Sequence, residues 1–511
     1  MAGAAAPAKA QGVLPAYGAD VRVGDLRKQF EGMTDAGPKT LSDRAWTFSP
    51  SIAISETYDS AVLLPGAHGP DYITRISPAF AGTLDTQRLK GSLYYSPSYS
   101  LYAIHPKESG FSHNLNASVT ATLVPDLLFA DLHGYAATQP LLGYATPGTS
   151  SSGRANEVQT MSFSAGPYVQ KRFSDIALLN AGYTVSRTST SSLASNPASP
   201  TLAGANSNFS SQQENFSLAT GPDFGRITAS LAAMATQYDG NGLYRGAHNE
   251  TVSLTGGYAF TRQITATASV GHETIVYGPG GPKAIDGLTW SGGVILTPNA
   301  DSSIKAGYGR QQGATSFYFD GTYALTARIH LFGRYSNGVG SNLQNIQSAL
   351  AGTTAGPAGV TVDRSTGAPV QLGNILSQQP GVYRTTLASA GGVYLLDRDA
   401  FSLDWSHTDQ VLLSGGGGAG FGSNTFTSMN AAWQHTLSEA FNTSASLQYG
   451  IRNVAARHSE SDTLTLSLSL NYIITETLSA NALISHSDTK GSTFGLPPTR
   501  DLVVVGLRKA F

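Results

Sequence analysis

The sequence predicts an all-β fold, a transmembrane antiparallel up-and-down β-barrel of about 22 strands, with 18–24 compatible with the pattern. Three observations predict it. From Ala45 onward, strand-length runs alternate apolar with small polar residues, the period-two mark of a sheet with one oily and one wet face. The connections between the runs alternate between short and long. Finally, the stretch Leu502–Phe511 is itself a β-run in which Val503, Val505, Leu507 and Phe511 share one face.

Composition narrows the alternatives. Length alone would allow two or three soluble domains in 511 residues. Charged residues, however, are only 13%, about half the usual share, and glycine supplies 57 positions. Long helix-forming stretches rich in Glu, Lys and Leu are missing. A net charge of −2 implies no general affinity for nucleic acid. The absence of cysteine excludes disulfides, thiol catalysis and thiolate metal sites. It also suits a chain that crosses an oxidising compartment unfolded. No run of apolar residues is long enough for a transmembrane helix, and a barrel is invisible to that test because its residues alternate.

Residues 1–44 are rich in Ala, Gly and Pro and show no period-two pattern. They read as a mostly irregular periplasmic segment with a short helix around Val21–Phe30, too small for a folded plug. Met1–Ala10 lacks the apolar core of a signal peptide. The expectation is that a signal peptide has been removed ahead of it and that the chain resides in a bacterial outer membrane.

The barrel occupies 45–511. Trp46, Phe48, Ile52 and Ile54 open the alternation, followed by an expected loop at Pro65–Pro70. Leu89, Leu93, Tyr95, Tyr99 and Leu101 oppose Lys90, Ser92, Tyr94, Ser96, Ser98 and Ser100. Leu464, Leu466, Leu468, Leu470, Tyr472 and Ile474 oppose Thr463, Thr465, Ser467, Ser469 and Asn471. Such runs place strands near 46–58, 72–84, 89–103, 111–123, 128–137, 157–172, 177–187, 210–221, 227–237, 249–260 and 264–276. Further strands follow near 288–297, 303–310, 316–325, 329–335, 383–395, 401–412, 425–436, 442–452, 463–474, 478–487 and 501–511. That is an even number, as bacterial barrels require.

Connections such as Asp85–Arg88, Val124–Leu127, Phe173–Ile176, Thr261–Gln263, Thr326–Arg328 and Thr475–Leu478 are short, whereas 138–156, 188–209, 336–382, 413–424 and 488–500 are long. Short periplasmic turns and long extracellular loops are the barrel rhythm. Aromatic residues near strand ends (Tyr58, Tyr72, Tyr102, Phe129, Phe173, Tyr238, Phe260, Tyr277, Trp405, Phe441 and Phe511) are expected to form interfacial girdles.

Little in the chain points to catalysis. Gly415–Gly422 contains G-x-G-x-x-G, but it lies in a loop that leads into a strand rather than a helix. Asp404 and His407 are three apart, which puts them on opposite faces of a strand. Asp131, His133 and Tyr135 share a face, as two polar lumen residues and a tyrosine ordinarily do. No catalytic, cofactor-binding or metal-binding residues are expected, and no cofactor.

The functional surface is expected to be the lumen. On this register it carries Lys90, Tyr94, Asp131, His133, Tyr135, Arg172, Lys305, Asp320, Arg328, His330, Arg334, Asp404 and Arg452. The signs are mixed. A selective ion filter would show one sign in a ring, whereas mixed polarity with interspersed tyrosine suits a hydrated, weakly charged polymer.

Two resemblances add to this reading. The Val503, Val505, Leu507, Phe511 face resembles the C-terminal assembly signal of outer-membrane barrels, with Lys509 where an apolar residue is usual. The stretches Phe48-Ser-Pro-Ser-Ile-Ala-Ile-Ser-Glu-Thr-Tyr-Asp59, Asp71-Tyr-Ile-Thr-Arg-Ile-Ser-Pro78, Ser112-His-Asn-Leu-Asn116 and Leu123-Val-Pro-Asp-Leu-Leu-Phe-Ala-Asp131 are similar to PEP-CTERM-system-associated outer-membrane proteins, kin to the β-barrel porin 2 group. That resemblance implies an outer-membrane pore of an exopolysaccharide locus, working with a periplasmic polysaccharide-export protein. The barrel itself implies contact with outer-membrane lipid and lipopolysaccharide and with the barrel-assembly machinery. The expected function is therefore exopolysaccharide export. A general diffusion porin is the alternative, and an outer-membrane hydrolase or lipid-modifying enzyme is a third reading.

Overall fold

The computed structural model describes Ala45–Phe511 apart from 65–66, 141–153, 155–156, 194–206, 346–352, 356–360, 364–380, 415–421, 455–458 and 492–497. The segment 1–44, with the helix expected near Val21–Phe30, lies outside the described residues.

The strands are β1 (Trp46–Leu64), β2 (Ala67–Asp85), β3 (Leu89–Tyr102), β4 (Gly110–Val124), β5 (Leu128–Pro140), β6 (Glu157–Phe173), β7 (Ala177–Ser192) and β8 (Ser207–Thr220). Next come β9 (Ile227–Gly240), β10 (His248–Ala259), β11 (Ile264–Val276), β12 (Ile285–Leu296), β13 (Ser303–Gln311), β14 (Ala314–Ala324) and β15 (Ile329–Ser341). The chain continues with β16 (Thr353–Ala355), β17 (Thr361–Asp363), β18 (Val382–Leu395), β19 (Asp399–Ser414), β20 (Asn424–Ser438), β21 (Phe441–Val454), β22 (Ser459–Thr475), β23 (Leu478–Lys490) and β24 (Thr499–Ala510). All but β16 and β17 belong to one 22-stranded sheet in which each strand pairs antiparallel with the next. β1 pairs with β24 from Ser51↔Ala510 to Asp59↔Leu502, and Phe511 N–H donates to Pro50 O at 3.0 Å, so the sheet closes on itself. β16 and β17 form a separate small hairpin inside the insert between β15 and β18.

All twenty-two expected wall strands are present. Their short-turn ends lie close to the expected positions, and many run further at the long-loop end. The loop expected at Pro65–Pro70 is a correction: Ala67, His68 and Gly69 pair with Leu64, Leu63 and Val62 across a hairpin. Above the oily band the outer face also meets water, so the alternation fades although the ladder continues.

A repeated local device makes the short turns. In Thr86–Leu89, Thr261–Ile264, Thr326–Ile329 and Thr475–Leu478, the threonine hydroxyl accepts the N–H three residues on, at 2.8, 3.0, 3.0 and 3.1 Å. The side chain thus supplies the turn bond that the backbone would otherwise need. The opposite hairpin between β13 and β14 is equally tight. It turns on Gln312 and Gly313, both in the left-handed region (φ 52° and 71°), where glycine is unstrained.

The two faces separate by parity. Leu93 and Leu101, Val252 and Leu254, Leu403 and Trp405, and Val503, Val505 and Leu507 are large apolar residues left exposed on one face. In a closed barrel that face is the oily exterior. The other face is interior because residues far apart around the ring meet across it. Tyr244, just beyond β9, bonds Ser341 of β15, and Gln344 bonds Tyr238 of β9.

Wall height varies round the ring. β1 and β2 have 19 residues each, β13 has 9 and β14 has 11. The tall hairpin and the low one stand on opposite sides of the barrel.

Candidate pore lumen and mouth

The interior wall is built from hydroxyl pairs facing each other across neighbouring strands. Ser92–Ser118, Ser98–Ser112, Ser162–Thr188, Ser186–Ser211, Ser269–Ser291, Ser406–Ser428, Ser444–Ser469 and Ser467–Ser485 lie between 2.6 and 3.3 Å apart. Thr463–Thr489 and Thr465–Ser487 extend the last column at 3.2 and 3.1 Å. Each pair contributes roughly 0.2–1 kcal/mol to strand pairing. Each hydroxyl is also partly satisfied within the wall, so the bore offers a polar surface without strong hooks.

Charged lumen residues are likewise held by neighbours. The Thr120 hydroxyl donates to Asp131 at 2.6 Å, and His133 and Tyr135 stand further up the same face. The Asn430 amide donates to Asp404 at 2.7 Å. His407 lies on the outer face against the Thr427 hydroxyl, so it is parted from Asp404 as the spacing required. Lys305, Asp320 and Arg334 form one row across β13, β14 and β15, with Arg334 Nε 3.4 Å from the Asp320 carboxylate. Tyr94 and His330 also have lumen parity, and Arg452 is buried on the inner face of β21.

Three expected lumen residues are corrected. Arg328 lies in the turn before β15, paired with Asp397 at 3.3 Å. Lys90 is exposed on the short-turn rim, 3.6 Å from Asp85. Arg172 is exposed one residue from the end of β6. These residues decorate the short-turn mouth and do not line the bore. Lys90 and Arg172 do have the inner parity, but parity carries no information on depth, and Arg328 precedes its strand.

The expected girdle is corrected too. Tyr58, Tyr72, Phe173, Phe260 and Trp405 do lie on the outer parity or at its edge. Tyr102, Phe129 and Tyr238 face inward, and Tyr277 is half-buried in the connection after β11. Phe129 stacks on Tyr168 inside the bore with ring centroids 5.3 Å apart. Higher on the inner wall, Tyr318 lies flat over Gly293 and Gly307, where any side chain would meet its ring. The glycines keep that aromatic against the wall and out of the passage.

The long-loop mouth holds residues that periodicity could not find. Phe209, Tyr238 and Tyr244 cluster with centroids 4.5–6.4 Å apart. Burial pushes the Tyr244 phenol well above its ordinary pKa, and its hydroxyl bonds Ser341 at 2.7 Å. From Ser341 the insert begins with a turn of helix at Asn342–Asn345. Gln344 bonds Tyr238 on one side, while Asn342 accepts from Gln410 at 3.4 Å on the other. The hairpin strand β16 then lies against β3 and β4. Those strands stand across the ring from β15 and β18, so the described parts of the insert reach both sides of the mouth, as a strap would. The only signal available in the sequence was the length of the connection 336–382.

Val503, Val505 and Leu507 are exposed on the outer face of β24, and Phe511 follows the last rung. Lys509 is held by the Thr477 hydroxyl of the neighbouring turn at 2.6 Å.

A closed wall of this size with an oily exterior, a hydroxyl-lined interior and tight turns at one end defines the 22-stranded outer-membrane β-barrel class. Among solved structures, the fold is similar to the FrpB iron transporter of Neisseria meningitidis. The apoprotein form of its F5-1 variant aligns with a TM-score of 0.54 at 9% identity, covering 92% of this chain and 81% of that one. The F3-3 variant aligns with a TM-score of 0.51 at 10% identity, covering 94% and 83%. At such identity the likeness shows the fold alone. No protein-family model and no curated protein matches the sequence.

Proposed function

We propose that this chain is a water-filled pore of a bacterial outer membrane and that its cargo is a hydrated, weakly charged polysaccharide leaving the cell. The observation that carries this reading is the columns of paired hydroxyls round the interior, with Asp320 and Asp404 among them held by Arg334 and Asn430. A wall of this kind wets a polyhydroxylated chain without gripping it, and it sets no single-signed barrier to ions. In this reading the long-loop end faces the medium and the short turns face the periplasm. A periplasmic export protein would then feed the lower mouth, as the resemblance to exopolysaccharide-locus proteins implies. The strap over the upper mouth explains how so wide a barrel avoids being an open leak.

The test is deletion of the gene followed by complementation. Loss of extracellular polysaccharide with polymer accumulating in the periplasm is the expected result. Unchanged export, together with slower uptake of small sugars, would favour a general diffusion porin instead.

A further inference from the structure

The wall is not zipped to the same height everywhere. The β14–β15 ladder runs from Ala324↔His330 to Phe319↔Tyr335 and stops. Both strands nevertheless run on, β14 to Ala314 and β15 to Ser341. β15 stays paired with β18 as far as Ser341↔Val382. Above Tyr335, then, one side of β15 is a sheet edge without a strand neighbour. The level matters: Phe317, just above the last rung, is 47% exposed on the oily face. An open sheet edge at membrane depth is costly unless other groups cover it.

Side chains cover this one. The Val339 N–H donates to the side-chain carbonyl of Gln312, and the Ser341 N–H to that of Gln344 at 3.0 Å. Arg384, on the outer parity of β18, donates to Asn337 Oδ1 at 3.2 Å and to the Gln312 main-chain carbonyl at 3.0 Å. That staples the low β13–β14 hairpin to the free edge. Ser336, the first residue past the last rung, is 6% exposed, and its hydroxyl has no partner among the described residues. The β4–β5 ladder also ends early, at Leu115↔Ala136. There the Gln159 amide both accepts the His113 N–H and donates to its carbonyl, each at 2.9 Å, replacing the missing rung. The β14–β15 gap starts lower and lacks such a rung.

We infer that the gap between β14 and β15 is a lateral door from the bore to the surrounding lipid, stapled by Arg384 and Gln312 and opened by a single-tailed anionic amphiphile. The staple joins a cation to two neutral carbonyls. A carboxylate makes the stronger, charge-assisted pair with a guanidinium, so an arriving head group takes Arg384 from Gln312 and leaves the hairpin tied to the free edge only by the Val339–Gln312 bond among those named above. Arg310, exposed on the outer parity of neighbouring β13, gives the head group a second cation. Phe317 and Tyr335, with ring centroids 6.1 Å apart at the foot of the gap, give the tail an apolar seat. This activity goes beyond axial passage of polymer and does not depend on it.

The test uses the whole chain, which has no cysteine of its own. Ser336→Cys carries bimane on the lumen side of the gap, and Ser467→Cys carries it on a distant lumen wall. Both proteins are reconstituted in vesicles of brominated phosphatidylcholine, whose tails quench the dye on contact. Palmitate is expected to raise quenching at position 336 at least twofold and to leave 467 unchanged, while hexadecanol does little. Arg384→Gln should raise the resting signal at 336 and abolish the palmitate response. Tyr318→Cys reports from the β14 side if the Ser336 variant does not assemble. Equal quenching at 336 and 467 in every condition, or a palmitate response that survives Arg384→Gln, would overturn the inference.

Discussion

Closure of the barrel rests on a single junction, and its strength can be worked out from one ion pair. Arg500 of β24 donates from Nε to Asp59 Oδ1 at 3.0 Å and from a terminal nitrogen to Oδ2 at 2.6 Å. The side chains are 15% and 2% exposed, so neither charge is well hydrated. Asp59 also accepts the Ala61 N–H at 3.0 Å where the β1–β2 ladder bulges, and the Asp501 N–H donates to Ser60 at 2.8 Å. Arg500→Ala removes two charge-assisted bonds, each worth about 1.5–3 kcal/mol, and leaves a buried carboxylate with one weak donor. Water entering the gap returns part of that loss. Breaking such a pair from one side therefore costs about 3–5 kcal/mol, a shift of roughly two to four decades in the folding equilibrium. Urea unfolding of the refolded protein in lipid vesicles, read by heat-modifiable migration, measures it. The Asp59→Ala, Arg500→Ala double variant should recover at least half of the loss, since no unpaired charge remains. A single variant within about 0.5 kcal/mol of the parent, the range of an ordinary surface substitution, would refute the reasoning. So would a double variant as unstable as the two singles summed.

Other outcomes follow from the lumen and its lid. Deleting Asn342–Gln379 should raise single-channel conductance in planar bilayers several-fold, because the strap spans the mouth; an unchanged conductance would mean that it blocks nothing. Arg334→Ala leaves the Asp320 carboxylate without its 3.4 Å partner and should move the reversal potential in a salt gradient toward cation preference, whereas the parent pore discriminates little. Gly307→Val would drive a side chain into Tyr318 and to 2.6 Å from the Gly292 carbonyl, so the yield of folded barrel should fall sharply. A Cβ added at Gly256 meets nothing within 4 Å, and Gly256→Ala should fold normally.

The strands were legible because lipid and water impose opposite chemistry on alternate residues, as in Leu464–Ile474 of β22. Legibility failed where that contrast ends. Ser336–Ser341 continues β15 well above the last β14 rung, yet Ser-Asn-Gly-Val-Gly-Ser shows no alternation. His68 and Gly69 looked like loop for the same reason. The polar character of the bore could be read, but its hydroxyl pairs could not, because which serine faces which depends on the register between strands. Asp59 and Arg500 are 441 residues apart, and nothing local marks either as half of a clamp. Tyr102 and Tyr238 resembled girdle residues because an aromatic near a strand end looks the same whether it points in or out.

The uneven rim has a further consequence. The wall is tallest at the hairpin of β1 and β2 and lowest at that of β13 and β14, so the outer opening is cut on a slant. A slanted outlet has a direction. On the export function proposed above, a stiff chain emerging from it would be shielded by the high lip and would spill over the low one, leaving the cell sideways and close to the membrane. If neighbouring barrels sit in a fixed orientation, their spouts are aligned, and the emerging strands would be laid down side by side.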